Sequence, residues 1–437
     1  MRLISGLPVE RDFGWGAAIE SAARSYADRF PVAFRGAEGC ELIATDGRRY
    51  LDLLCGAGVH VLGHAHPRIM AALHDVQAPL LSGLDLTTTD KLAFIEGLLG
   101  TLPAALRDDC RIQFCGPTGS DTIEAALKLA RLATGRSGIF AFIGGYHGMS
   151  QGALGVSSAR GVRRAGLRVR DDVTFCPFPY PFRGRGAWAD PEAAIDLALA
   201  HVEMLLADDH SGTDIPAAML IEAVQGEGGN IVAPPRFLRG LRALCDRHGI
   251  LLILDEIQSG VGRTGHWWAH QHADVRVDMM CIAKGIGGGV PIGLLVYRSD
   301  LDLWQPGDHI GTFRGPLLAF ILGRTTIEVI KEERLVEGAA RLGATLSRGL
   351  EEMVARHAAA GELRGLGLFL GIELCGRPGL TAGEAARRVQ AGLFERGIII
   401  ERGGRDGAVL RLLPPLNLPE AAADRFLEGL DRELASL

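Results

Sequence analysis

The stretch Leu251-Leu-Ile-Leu-Asp255-Glu256-Ile257-Gln258 has the pattern of a buried strand that ends in a carboxylate. A second apolar run, Met279-Met-Cys-Ile-Ala283, ends in Lys284 and leads into Gly285-Ile-Gly-Gly-Gly289. Short continuous apolar runs of this kind predict strands that are buried on both faces. Because lysine is costly to bury, a lysine at the end of such a strand is predicted to be either paired or chemically reactive.

Other apolar runs flank these two strands and alternate with helical patterns. The remaining strand candidates are Arg111–Cys115, Gly138–Ile143, Ala217–Glu222 and Ile292–Val296, and helical patterns cover Asp121–Thr134 and Phe237–His248. This alternation predicts an α/β fold in which a mostly parallel sheet is covered by helices on both faces.

The pattern changes near residue 320. Amphipathic helices are predicted over roughly 318–333 and 335–357, followed by the short strands Leu366–Leu374, Ile398–Glu401 and Val409–Leu413 and by a last helix over about 419–435. We therefore predict a large domain over residues 61–325 and a smaller α+β domain over residues 326–437. The N-terminal segment, residues 1–60, is expected to contribute to the smaller domain.

The composition argues against several classes of protein. The 437 residues carry a net charge of −6, with 47% hydrophobic and 22% charged residues, which is typical of a soluble globular protein. Both signs of charge are mixed along the chain, so no nucleic-acid partner is expected, and the lack of a membrane-spanning apolar stretch predicts no membrane partner. The N-terminus becomes charged too early for a signal peptide, and the 8 cysteines include no CxxC pair, so we expect a cytoplasmic protein with reduced thiols.

Two glycine-containing loops that follow predicted strands could bind a flat, phosphorylated ligand. Gly116-Pro-Thr118-Gly119-Ser120-Asp121 precedes a helix, and the unpaired N–H groups at a helix N-terminus attract phosphate. The same pattern also fits a plain helix cap by Ser120 or Asp121. In Gly144-Gly145-Tyr146-His147-Gly148, the ring of Tyr146 could stack on a flat ligand or simply pack within the loop.

Three further segments place charged groups where buried strands end. Glu222 and Glu227 leave a strand into a glycine turn, where acids need a cationic partner, as in a structural ion pair. Asp255 could hold a pyridine nitrogen protonated, with Gln258 beside a ring oxygen, or it could cap a helix. Lys284 could form a Schiff base with an aldehyde cofactor or remain a salt-bridged lysine.

A histidine cluster in the same region is not predicted to bind a metal. His266, His270 and His272 are close together in the sequence. A zinc site needs convergent ligands, and no HExxH-type helix surrounds these histidines.

Taken together and in this order, the segments resemble the class III aminotransferases of the aspartate-aminotransferase fold, which use pyridoxal 5′-phosphate. The likeness extends from Ala23-Arg-Ser-Tyr26 to Arg411-Leu-Leu-Pro-Pro-Leu416, and its most specific part is Asp255–Gly265 combined with Ala283-Lys284-Gly285. It implies fold type I of the pyridoxal-phosphate-dependent transferases, with a mostly parallel seven-stranded sheet in the large domain.

The resemblance implies a role for each residue that matches a motif of the family. Lys284 would bind the cofactor covalently and move the proton, Asp255 would pair with the pyridinium nitrogen, and Glu222 would lie close to both. Arg411 would bind the α-carboxylate of 2-oxoglutarate or glutamate, and Glu227 would neutralise that arginine when an ω-amino substrate is bound. The other implied cofactor contacts are Gly119, Ser120, Tyr146, Gln258 and, from the neighbouring subunit of a homodimer with active sites at its interface, Thr312.

Within the class, the chain is most similar to the diaminobutyrate–2-oxoglutarate aminotransferases, in segments such as Gln113-Phe-Cys-Gly-Pro117 and Glu227-Gly-Gly-Asn230. This implies that the terminal amino group of a diamino acid, with L-2,4-diaminobutyrate as the expected donor, is transferred to 2-oxoglutarate to give a semialdehyde and L-glutamate. Pro316 and Val59-His60 depart from the usual pattern near the expected mouth of the site. Two alternatives stay open: another ω-aminotransferase, for ornithine, 4-aminobutyrate or a modified amine, and an aminomutase or racemase on the same scaffold.

Overall fold

A computed structural model of the chain describes residues 20–76, 82–159, 161 and 172–437. The largest sheet has seven strands, in the spatial order Cys110–Phe114, Gly293–Arg298, Met279–Ala283, Leu251–Asp255, Ala218–Glu222, Ile139–Phe142 and Val173–Cys176. Gly293–Arg298 runs antiparallel to both of its neighbours, and the other neighbouring strands are parallel. The predicted α/β fold with a mostly parallel seven-stranded sheet is therefore confirmed.

Six of these strands correspond to the candidates from the sequence. Leu251–Asp255 and Met279–Ala283 have the predicted bounds, because both are fully buried apolar runs. The edge strand Val173–Cys176 was not among the candidates. It has four residues, three of them only partly buried, so its apolar signal is too short to stand out from a loop.

Alternate residues of the central strands face two different cores. Leu252 and Leu254 pack in a core that includes residues of helix Pro235–His248. Ile253 instead packs in a core that includes residues of helix Gly119–Thr134. Because side chains alternate along a strand, a sheet that is covered on both faces requires this continuous apolar sequence.

The segment before residue 60 is joined to the C-terminal part of the chain by a second sheet. Its strands follow the order Phe34–Glu38, Glu41–Ala44, Arg49–Asp52 and Ile398–Ile399. The last two strands pair in parallel, with Ile398 opposite Leu51. The predicted domain organisation stays a prediction. Residues 1–19 of the predicted N-terminal segment lie outside the described residues.

A third sheet contains the C-terminal strands, in the order Ala360–Leu366, Phe369–Leu374, Val409–Leu412 and Glu401–Gly403. The sequence prediction of one strand over Leu366–Leu374 is wrong, because Gly367 turns the chain at a φ of 55° and separates two antiparallel strands. The predicted strand Ile398–Glu401 is also divided, since Ile398–Ile399 belongs to the second sheet and Glu401 to the third.

The other regular elements lie around these sheets. A short hairpin pairs Val224–Gln225 with Ile231–Val232. Among the described residues, the remaining α-helices are Tyr26–Arg29, Cys55–Gly58, Pro67–His74, Thr89–Leu99, Ala104–Arg107, Gln151–Val156, Pro191–Ala207, Leu317–Glu332, Leu335–Arg356, Ala382–Glu395 and Glu420–Ala435. In the part of the chain that the structure describes, no helix has both the length and the apolar character needed to cross a membrane.

Candidate active site

A cavity of about 340 Å³ lies at the carboxyl ends of the central strands. Ligands of open α/β sheets commonly bind in this position, because the loops that follow the strands converge there. Eight of the residues singled out in the sequence line the cavity: Gly119, Ser120, Tyr146, Glu222, Glu227, Asp255, Gln258 and Lys284.

Asp255 ends its strand directly opposite Glu222 on the neighbouring parallel strand. Its Oδ2 lies 2.7 Å from Nδ1 of His147, and its Oδ1 accepts a hydrogen bond from the backbone N–H of Ile257. Burial acts to lower the pKa of His147, but the hydrogen bond and the charge of Asp255 outweigh it and raise this pKa above its ordinary value. The imidazole of His147 is therefore favoured in its protonated form beside this carboxyl group.

Glu222 is a second buried carboxylate at the same edge of the sheet. Its two oxygens accept hydrogen bonds from the backbone N–H groups of Tyr146, at 3.0 Å, and Gly226, at 2.8 Å. Burial raises the pKa of Glu222 to about 7, and the positive charge of His147 limits the rise. The carboxyl group can therefore hold or release a proton near neutral pH.

Lys284 follows the last residue of its strand and adopts a φ of 52°. This left-handed conformation is uncommon for a residue with a side chain. It begins the short 3₁₀ helix Lys284–Gly287, which follows the strand. Burial lowers the pKa of the amine, although the charges of Glu227 and Asp255 act in the opposite direction. A lowered pKa increases the fraction of neutral amine, which is the form that attacks a carbonyl carbon.

The loop before helix Gly119–Thr134 forms a narrow cradle. Thr118, rather than Ser120 or Asp121, caps the helix, since its side chain accepts from the N–H of Asp121. Ser120 Oγ instead accepts from the backbone N–H of Met149. A Cβ atom placed on Gly148 would lie 2.0 Å from Ser120 Oγ, so glycine is required for this close approach.

Arg411 and Glu227 form an ion pair beside the cavity. Arg411 is fully buried, and its Nη1 lies 2.7 Å from Glu227 Oε1. The guanidinium also donates to Gln258 Oε1, at 2.6 Å, and to Asn230 Oδ1, at 2.9 Å. Burial acts to raise the pKa of Glu227, but Arg411 outweighs it and lowers this pKa, so the carboxylate stays ionised. The side chain of Glu227 is 37% exposed, so it is the partner of the pair that remains accessible from the cavity.

Thr312 lies outside this cavity, in an exposed turn. Its neighbours Ile310 and Phe313 are 69% and 67% exposed, which is unusual for large apolar side chains. The predicted role of Thr312 in the site of a neighbouring subunit stays a prediction.

The two segments that depart from the family's usual sequence pattern, Val59-His60 and Pro316, lie in different places. Val59 lines the cavity, and the imidazole of His60 contacts the ring of His64 at a centroid distance of 4.6 Å. Pro316 forms an isolated antiparallel bridge with Ser82. Only the loop that contains Val59 therefore borders the site directly.

The clustered histidines have other partners. His270 Nδ1 lies 2.9 Å from Glu256 Oε1, and His272 Nε2 lies 3.0 Å from the carbonyl oxygen of Thr264. The rings of His266 and His272 meet edge to face at 4.4 Å.

His147 and Asn230 are site residues that the sequence reasoning did not single out. His147 lies 108 positions from Asp255 in the chain, and Asn230 lies 181 positions from Arg411. The position of His147 directly after Tyr146, in a glycine loop at a strand end, is the only local signal for the former.

The chain is similar to known proteins over nearly its whole length. The family model described as aminotransferase class-III matches residues 22–434. The chain is 47% identical over 424 residues to a diaminobutyrate–2-oxoglutarate aminotransferase of Rhizobium meliloti strain 1021, covering 94% of this chain and 89% of the relative. It is 38% identical over 423 residues to the Haemophilus influenzae protein of the same name, covering 94% of this chain and 92% of the relative.

Solved structures of similar fold include transaminases with bound cofactor. A taurine:2-oxoglutarate aminotransferase from Bifidobacterium kashiwanohense, in complex with pyridoxal phosphate and glutamate, superimposes with a TM-score of 0.83 at 27% identity, covering 93% of this chain and 92% of that one. An amine transaminase from an uncultivated Pseudomonas species, in a pyridoxal-phosphate-bound form, gives a TM-score of 0.85 at 26% identity, covering 96% and 97%.

Proposed function

The chain belongs to the class III aminotransferase family, and we propose that it transfers the terminal amino group of L-2,4-diaminobutyrate to 2-oxoglutarate. The products are a semialdehyde and L-glutamate. The observation that carries the proposal is the buried Arg411, paired with the partly exposed Glu227, at the edge of the cavity that contains Lys284. The identity to two relatives named for this reaction supports the choice of donor.

The residues around the cavity fit pyridoxal phosphate, the cofactor of this enzyme class. The Gly119–Ser120 turn at a helix N-terminus and the close approach of Gly148 form a cradle that suits a phosphate group. Asp255 would suit the pyridine nitrogen, and Tyr146, which lines the same cavity, could stack on the ring. When bound, the cofactor supplies an aldehyde that condenses with amines and a ring that withdraws electrons from the carbon next to the amine.

Lys284 and Asp255 carry the proton chemistry in this proposal. The lowered pKa of Lys284 would make its amine available as a base, which would take a proton from the substrate carbon that bears the reacting amine and give it to the carbon of the cofactor that carried the aldehyde. Asp255 lies 2.7 Å from His147, whose raised pKa favours a positive charge beside the carboxylate, and it would hold a proton on the ring nitrogen. Glu222, whose pKa is about 7, buffers the charge beside this pair.

Arg411 and Glu227 allow one site to accept two kinds of substrate. The α-carboxylate of 2-oxoglutarate or glutamate displaces Glu227 and pairs with Arg411. When an amine without a carboxylate at that position is bound, Glu227 returns and neutralises the buried arginine. The alternative of leaving Arg411 buried and unpaired costs several kcal/mol.

We further propose a homodimer in which Thr312 contributes to the neighbouring site. The exposed apolar side chains Ile310 and Phe313 on either side of Thr312 support this assembly, since they would be covered in a dimer. A cytoplasmic location is proposed because all eight cysteines carry free thiols, which persist in a reducing compartment.

A screen of amine donors tests the proposal. Purified protein would be incubated with 2-oxoglutarate and either 2,4-diaminobutyrate, ornithine, 4-aminobutyrate or β-alanine, and L-glutamate would be measured. We expect the highest kcat/KM with 2,4-diaminobutyrate. A higher kcat/KM for another donor would mean that this other ω-amine is the preferred substrate. Failure to convert glutamate to 2-oxoglutarate in a single turnover would argue for a reaction other than amino transfer.

A further inference from the structure

A second cavity, of about 410 Å³, is distinct from the one that contains Lys284. The two cavities have no lining residue in common among the described residues. The volume of the second cavity is within the range of small-molecule sites, roughly 300–1,000 Å³. Part of its lining is apolar and open to solvent, since Ile143 is 48% exposed and Pro177 and Trp188 are partly exposed. An apolar surface of this kind suits a flat ring.

Three arginines also line the second cavity, whereas no carboxylate lines it within the described part of the chain. Arg183 is neutralised, because it forms ion pairs with Glu373 and, at 3.0 Å, with Asp406. The other two arginines, Arg185 and Arg405, form no ion pair with any described residue. The second cavity therefore has two positive charges that are not neutralised by an ion pair within the protein.

Arg405 is fixed in place although it lacks a carboxylate partner. Its Nη1 donates to the carbonyl oxygen of Gly228 at 2.8 Å, and its guanidinium carbon lies 4.9 Å from the centroid of the Tyr180 ring. The carbonyl oxygen of Arg405 accepts from Arg183 Nη2 at 3.4 Å, which brings Arg405 next to the segment that contains Arg185. Burial lowers the pKa of Arg405, as expected for a poorly solvated guanidinium without a paired carboxylate.

Arg185 and Trp188 belong to one turn of the chain. The backbone N–H of Trp188 donates to the carbonyl oxygen of Arg185 at 3.2 Å. The side chain of Arg185 is exposed and makes no hydrogen bond with a described residue, so its guanidinium is free to pair with a ligand. The turn thus places a free cation and an indole ring in the lining of the same cavity.

The balance of charge indicates the class of ligand. A phosphate monoester carries about −1.5 to −2 charges at pH 7, so it can neutralise both Arg185 and Arg405, whereas a carboxylate can neutralise only one of them. The planar guanidinium group also matches phosphate, which it binds through two parallel hydrogen bonds. The apolar part of the lining, at Ile143 and Trp188, adds a surface for an aromatic ring.

We propose that the second cavity binds an aromatic phosphate monoester, with its phosphate on Arg185 and Arg405 and its ring on Trp188. The phosphorylated forms of vitamin B6 and the nucleoside monophosphates share this chemistry. The inference goes beyond the proposed amino transfer, since no residue that lines the second cavity has a role in that reaction.

Equilibrium dialysis of the cofactor-loaded enzyme against pyridoxine 5′-phosphate tests the proposal. This compound has no aldehyde and therefore does not condense with lysine side chains, and the bound cofactor already occupies the first cavity. Pyridoxine, which lacks the phosphate, and inorganic phosphate, which lacks the ring, are the controls. AMP and adenosine form a second pair of the same design. We expect at least one of the two phosphate esters to bind once per chain and more tightly than either of its controls.

The variants are Arg185→Ala, Arg405→Gln and Arg35→Ala. Arg185→Ala should raise the Kd of the bound ester about tenfold, because it removes a charged hydrogen-bond donor, and it should leave the rate of amino transfer unchanged. Arg405→Gln should also weaken binding. Arg35 provides the matched control, since its side chain is exposed, has no hydrogen bond or ion pair with a described residue and lines neither cavity.

The outcomes separate the two sources of the ligand and the failure of the idea. Tighter binding of pyridoxine 5′-phosphate than of AMP would identify the vitamin B6 phosphates as the natural class, and the reverse order would identify the nucleoside monophosphates. Binding of neither ester, or binding no tighter than that of inorganic phosphate, would overturn the proposal. An equal Kd in the wild-type enzyme, Arg185→Ala and Arg35→Ala would overturn it as well, because the ester would then bind elsewhere. Amino transfer is measured separately, so a failure of the proposed function does not affect this result.

Discussion

Replacing Glu222 by glutamine should change the pH dependence of stability in a defined direction. Glu222 is 6% exposed and lies beside Asp255, and its carboxyl group accepts one hydrogen bond on each oxygen. Burial raises its pKa from 4.5 to about 7. In the folded protein the group therefore binds its proton more tightly than in the unfolded chain.

The sign and size of the effect follow from this difference. Between pH 4.5 and about pH 7 the folded state of the wild-type protein retains a proton on Glu222 that the unfolded state has lost, so stability falls as the pH rises. The cost is complete above the folded pKa and amounts to about 3 kcal/mol. Glutamine carries no charge, so the variant does not lose this stability as the pH rises. Its amide NH₂ group, however, cannot accept the hydrogen bond from one of the two backbone N–H groups, and this costs about 1–3 kcal/mol at every pH.

We therefore expect Glu222→Gln to be less stable than the wild-type protein at pH 5 and to recover about 2–3 kcal/mol relative to it by pH 8.5. The assay is urea unfolding of both proteins at several pH values with a fixed excess of cofactor. A stability difference that stays constant from pH 5 to pH 8.5 would refute the reasoning, because it would mean that burial does not raise the pKa of Glu222.

A second buried glutamate provides the opposite case. Burial acts to raise the pKa of Glu256, but hydrogen bonds from His270, Ser259 and the backbone outweigh it and lower this pKa. The stability from such a group is present above its unfolded pKa and is lost as the pH falls through its folded pKa. Glu256→Gln should therefore be destabilised to a similar extent at pH 5 and at pH 8.5.

Three other substitutions test the site. Lys284→Ala should lower the rate of amino transfer about 10²- to 10⁴-fold, because it removes the amine that transfers the proton. The rate is measured as the formation of glutamate. Activity within tenfold of the wild-type value would exclude Lys284 as the residue that transfers the proton. Gly148→Ala should weaken cofactor binding in a fluorescence titration, since its Cβ would meet Ser120 Oγ at 2.0 Å, whereas Gly135→Ala, which also has a positive φ but meets nothing within 4 Å, should not. His147→Gln should remove the stabilising contact with Asp255. Because the pKa of His147 is raised in the folded protein, urea unfolding should show a larger loss of stability at pH 5.5 than at pH 9. An equal loss at both pH values would count against a protonated imidazole.

Much of the sheet could be predicted because its signals are local. Leu251–Asp255 is an apolar run that ends in a charged residue, Met279–Ala283 is one that is followed by a charged residue, and both strands have the predicted bounds. Val173–Cys176 and the division at Gly367 could not be predicted in this way. A four-residue edge strand is too short to give a clear apolar signal, and the turn at Gly367 lies between the apolar residues Leu366 and Leu368.

The candidate site, like the sheet, could be predicted from the sequence only in part. The sequence by itself determined which residues end the buried strands, because burying Glu222, Asp255 or Lys284 is so costly that these residue types at those positions already indicate chemistry. Which of these side chains contact one another was decided only by the tertiary structure. His147 meets Asp255 across 108 positions and Arg411 meets Glu227 across 184, and Glu401 faces Arg411 through the register of one antiparallel pair. Such pairings depend on strand order and register, which are set by packing of the whole chain and leave no pattern in the neighbouring sequence.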